Sequence, residues 1–113
     1  MRFTRNPPRD SRNILFAASL EFGKNWMRPI SDLAAERIGN EPSEVQETLS
    51  AEIESTRAGI NEWIQQRWDS VNGKWRTPDT AAASSWVVAS YPWMDKRNIK
   101  RAISQGCYYA HHG

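Results

Sequence analysis

The chain has 113 residues, 39% hydrophobic and 25% charged, with six tryptophans, two histidines, one cysteine and a net charge of +2. That size and composition suit one folded domain with its own core and exclude a wholly disordered chain. A lone cysteine, Cys107, excludes an internal disulfide and a framework built for oxidising surroundings.

The first ten residues, MRFTRNPPRD, are basic, but no apolar stretch of signal-peptide length follows. The longest fully apolar run covers residues 14–18, far short of the roughly 20 needed to span a bilayer. A cytoplasmic protein without membrane contact is the expectation. Charge is distributed unevenly: residues 1–40 carry +3, residues 41–72 carry −5 and residues 73–113 carry +4. Either the segments neutralise one another on packing, or one face stays acidic and meets a basic partner.

Residues 1–9, with Arg2, Arg5, Arg9 and the pair Pro7-Pro8, read as a flexible basic arm, and residues 10–113 as a single helical domain. Asp10 or Ser11 is placed to cap a first helix, with Ile14, Leu15, Ala18, Phe22 and Trp26 at helical spacing. Gly23 weakens it and Pro29 ends it. A short second helix spans about residues 31–38, with Leu33, Ala34 and Ile38 inward and Gly39-Asn40 as its stop.

The third segment carries the strongest pattern. Pro42 followed by Ser43, with Gln46 three residues on, fits a capping box. Val45, Leu49, Ile53, Thr56, Ile60, Trp63, Ile64 and Val71 recur at steps of three, four or seven, within an arc about 100° wide. Glu44, Glu47, Glu54, Glu62 and Asp69 fall opposite, and Asn72-Gly73 stops the pattern. One amphipathic helix over about 43–72 follows, near 43 Å if straight. A domain of this size has a radius of gyration of about 13 Å, so this helix either projects or breaks, with Gly59 as the weak point. Asp79 or Thr80 is expected to cap a fourth helix containing residues 81–83, Trp86, Val87 and Tyr91, closed by Pro92. Asp95 is expected to cap a fifth with Ile99, Ala102 and Ile103 inward, ended by Gly106, leaving the tail from Cys107 to His112 frayed or docked. Nothing alternates over strand length. The fold class is therefore all-α: an irregular bundle of about five helices around the long one.

No motif spells out a catalytic centre. The six glycines form no phosphate loop. Cys107 and His111 are four apart, the spacing of a nucleophile–base pair or half a metal site, but further ligands of matching type are missing. The plain alternative is a semi-buried thiol beside a terminal histidine. No cofactor and no metal are expected. The glutamates of the long helix lie opposite its apolar stripe, where hydration rather than acid–base work is expected. Arg67 falls inside the apolar arc, either with its stem on the core or facing another chain.

Two functional readings remain. A small non-catalytic protein-binding protein fits the missing chemistry, the excess tryptophan and the acidic helix face. By class analogy alone, an immunity- or antitoxin-type protein covering a basic toxin domain has this character. Glu47, Glu54, Glu62 and Asp69 would attract that partner, with Trp68 or Trp75 as anchors; a homodimer is a further form of protein partner. The alternative is a nucleic-acid-binding regulator built on a helix-turn-helix-like pair at 79–106, with Lys96, Arg97, Lys100 and Arg101 on phosphates. An enzyme or metal protein using Cys107 and His111 comes third.

Overall fold

Proline, glycine and short polar side chains set the ends of five α-helices in the computed structural model, which describes residues 7–21 and 28–112. These are α1 (Pro7–Ser19), α2 (Ile30–Arg37), α3 (Ser43–Ser70), α4 (Thr77–Ser90) and α5 (Lys96–His112). No strand occurs among the described residues, and the fold is all-α. None of the described helices is long and apolar enough to cross a membrane. The chain divides into two compact units, residues 1–54 and 55–113, and the division falls inside α3.

In the first unit α1 packs against α2. Its buried side chains are Leu15, Phe16, Ala18, Leu33, Ala34, Ile38, Leu49 and Ile53, with smaller contributions from Leu20 and Ile30. Helix α1 begins at Pro7 rather than after a cap at Asp10 or Ser11, so residues 7–9, expected in the arm, are helical. A proline is well suited to a first turn, where its missing N–H costs nothing. Ser11 lies inside the helix, buried, and its hydroxyl donates to Glu41. Ile14, expected in the core, is 47% exposed, because the buried face centres on Leu15 and Ala18 and leaves Ile14 at its rim. Phe22 and Trp26, expected on that stripe, lie outside the described residues. Arg12 Nε donates to Glu52 at 2.8 Å and Arg37 grips Glu21 through two bonds of 3.1 Å.

Helix α3 is unbroken through Gly59. Leu49, Ile53, Thr56, Ile60 and Ile64 are buried on it, whereas Glu44, Glu47, Glu54, Glu62 and Asp69 are all exposed. Its start departs from a capping box. The Pro42 carbonyl accepts from the amides of Val45 and Gln46 at 3.0 Å. The Gln46 side chain turns back as a donor to the Glu41 carbonyl at 2.9 Å. At the other end Asn72 (φ 55) and Gly73 (φ 76) are left-handed, and the Gly73 amide donates to the Trp68 carbonyl at 2.9 Å. The expected stop is therefore present.

In the second unit α4 packs against α5, and Ile60, Ile64, Ala83, Val87, Met94, Ile99, Ala102 and Ile103 are buried. The start of α4 corrects the expected cap. Arg76 precedes the helix, and Asp79 sits in its first turn, where Oδ2 accepts from the Arg76 amide at 2.9 Å. Asp95 does cap α5, its Oδ1 accepting from the Asn98 amide at 2.9 Å. Gly106 does not end α5; it lies in the helix interior, and the helix continues to His112.

Candidate functional site

Helix α4 is unusually small-sided. Thr80, Ser84 and Val88 follow one another at four-residue spacing and form one wall of a groove. The other wall comes from α5, through Lys96, Ile99, Lys100, Ile103, Ser104 and Cys107. Short side chains on one helix leave space beside the longer ones on its neighbour, which is why a groove forms here. It has a volume of about 580 Å³ and a predominantly apolar lining. Val88 is 51% exposed within it, although Val87 beside it is buried. Ile99 and Ile103 form the floor, both nearly covered.

Trp75 closes one end of the groove. Its Nε1 donates to the Thr80 hydroxyl at 2.8 Å, and its ring stacks on Trp68 at 5.9 Å between centroids. Trp68 also meets His111 edge-on at 5.9 Å. Of the two tryptophans expected as anchors, Trp75 therefore faces the groove, and Trp68 supports it from behind. A second aromatic chain runs from Trp63 through Trp86 and Tyr91 to Trp93, with centroids 5.7, 5.7 and 6.4 Å apart. Stacked and edge-on rings at these separations are favourable contacts. They use up most of the tryptophan excess inside the second unit.

The acidic candidates are not gathered into one site. Glu47 and Glu54 belong to the first unit, and Glu62 and Asp69 to the second. Each is exposed. Asp69 accepts from Gln65 Nε2 at 3.0 Å, and no ion pair involves Glu47, Glu54 or Glu62 among the described residues. Arg67 Nε donates to Asp79 Oδ1 at 2.7 Å. Asp79 is buried, and the Arg67 guanidinium, helped by the Arg76 amide, holds its carboxyl below the usual carboxylate range.

The four cations of α5 divide by direction. Lys96 and Lys100, one turn apart, flank the groove, whereas Arg97 and Arg101 do not line it. Lys96, Arg97 and Lys100 are exposed and Arg101 is half-buried. None of the four makes an ion pair among the described residues. Lys96 and Lys100 border a largely apolar groove.

Cys107 and His111 lie on one continuous helix, α5. Cys107 lines the groove, and burial pushes its thiol above the ordinary range. His111 lies against Trp68 and against His112, 4.8 Å away between ring centroids. Among the described residues no three His, Cys, Asp or Glu side chains converge as a metal site would need.

The groove escaped sequence reading because it belongs to no motif. One signal was available: Thr80, Ser84 and Val88 at four-residue spacing, a row of short side chains on one face of a helix. No protein-family model matches the chain, and no match was found among curated proteins or among solved structures.

Proposed function

We propose that this is a small non-catalytic protein-binding protein whose docking surface is the α4–α5 groove. The observation that carries the reading is an apolar groove, open to solvent, in which Val88 is 51% exposed. Exposed apolar surface flanked by polar groups is a common mark of a protein interaction site. A groove between two helices fits an incoming helix that lays its apolar face into it. Trp75, held by Thr80 and backed by Trp68, gives the groove a fixed aromatic end of the kind enriched at interface hot spots. Burial raises the Cys107 thiol pKa and so weakens it as a nucleophile.

An immunity- or antitoxin-type role is one form of this activity. Glu47 and Glu54 on the first unit, and Glu62 on the second, are exposed charges that a basic toxin would meet. The groove is the better-supported face, because it combines shape, apolar lining and an aromatic anchor within one unit.

Selection from a displayed library of amphipathic helices of about 16 residues tests the reading. Helices with apolar residues at i, i+3 or i+4, and i+7 are expected to enrich on the protein and to lose binding to Val88→Glu. That substitution adds a charge at an exposed position without opening the core. Absence of enrichment, or enrichment indifferent to Val88→Glu, would sink it.

A further inference from the structure

We infer that the partner segment is an acidic amphipathic helix, its apolar face on Val88, Ile99 and Ile103 and two carboxylates one turn apart opposite Lys96 and Lys100. The inference rests on the groove being a protein docking surface and adds the chemistry of what docks there. Lys96 and Lys100 sit on the same wall, both exposed, and neither has an ion partner among the described residues. No acidic residue lines the groove, and the first turn of α5 contains none. Asp95, which precedes Lys96, holds its carboxylate on the Asn98 amide as the helix cap and is not part of the lining. Within the groove an incoming anion therefore meets two ammonium groups and no lining carboxylate.

The spacing selects the occupant. The α5 wall runs from Lys96 to Cys107, about 16 Å at 1.5 Å per residue, or roughly three turns. A helix of that length presents anchors at i, i+3 or i+4, and i+7 on one face and flanking groups a turn apart on the next. The short side chains of Thr80 and Ser84 let its backbone come close to α4. Carboxylates at i and i+4, near the α5 start, then face Lys96 and Lys100 with the register fixed by Val88. Two partly desolvated charge pairs contribute to affinity and, more strongly, to the choice of partner.

The same displayed library, with every residue type allowed at the flanking positions, is selected on the intact protein. Enriched helices are expected to carry Asp or Glu at one flank, four residues apart. Replacing Lys96 and Lys100 together by Glu is expected to weaken the best of them at least about tenfold and to shift a fresh selection towards Lys and Arg flanks. Binding to the intact protein should weaken as salt rises. Both lysines are exposed, so the variant keeps its core.

Enriched helices that need Val88 but carry neutral or basic flanks overturn the charge assignment and leave the docking reading standing. Helices that ignore Val88→Glu remove both. Three further arms name other occupants. Dodecanoate filling the groove where no acidic helix binds assigns it to single-chain lipid acids. A dimer that dissociates on Val88→Glu assigns it to a second copy. Retention of short duplex DNA lost with the lysine pair, and without acidic-helix binding, assigns α5 to nucleic acid. Each of the three overturns the proposal.

Discussion

A β-carbon placed on Gly59 would lie 2.6 Å from the hydroxyl oxygen of Tyr91. The glycine is in the middle of α3, where it costs about 1 kcal/mol relative to alanine, and the reason for it stands at the C-terminal end of α4. The Tyr91 ring is held edge-on by Trp86 and by Trp93, so its hydroxyl has little freedom to retreat. Gly59→Ala is therefore expected to bring no gain in stability, or a small loss. In a Tyr91→Phe background the nearest ring atom is 3.9 Å away, and the same change should gain about 1 kcal/mol. Urea denaturation of the four proteins gives the coupling directly; equal effects in both backgrounds would contradict it.

Gly106 repeats the arrangement in α5 with a less yielding neighbour. A β-carbon there would overlap Ile64 Cδ1 and come within 3.4 Å of Asn61 Oδ1. Ile64 is 1% exposed, so the overlap falls in a packed interior. Overpacking costs about 1–3 kcal/mol, against about 1 kcal/mol returned by helix propensity. Gly106→Ala should lose up to about 2 kcal/mol, and Ile64→Val, which removes the colliding methyl, should recover part of it. Thermal or chemical unfolding that shows the two substitutions simply adding would refute the contact.

Asp79 ties the start of α4 to the end of α3, with Oδ1 on Arg67 and Oδ2 on the Arg76 amide. The Arg67 bond is the main cause of its lowered pKa. A carboxyl held below its unfolded value, near 3.9, stabilises the fold at every pH above that value. The contribution fades as pH falls through the folded-state pKa, once both states are protonated. Asp79→Asn should lower the melting temperature by several degrees at pH 7, and the gap should close in strong acid. A gap of constant size down to pH 2 would mean the carboxylate charge is irrelevant.

Cys107 combines a raised thiol pKa with a place in the groove wall. Alkylation proceeds through the thiolate, so iodoacetamide should label it several-fold more slowly than a free thiol at pH 7.5. The rate should climb as pH passes the usual thiol range. A helical peptide seated in the groove should slow it further. Mass spectrometry over a time course measures both effects, and a thiol labelled at the free rate, with or without peptide, would place Cys107 outside the groove.

The amphipathic pattern of residues 43–71 was enough to specify α3, its exposed acids and its stop at Asn72-Gly73, because helical periodicity is a local property of the chain. Proline and aspartate likewise marked the connection before α5. Only the tertiary structure decided what the exceptions to the pattern were for. Gly59 reads as a weak point and is room for Tyr91; Gly106 reads as a stop and is room for Ile64; Arg67 reads as a cation with its stem on the core or facing another chain, and is the partner of Asp79. The groove was hidden for the same reason. Its walls come from two helices, and its width depends on how far small side chains at 80, 84 and 88 stand from residues 96–107. Spacing along one helix carries no information about the distance to the next, and that distance is set by packing.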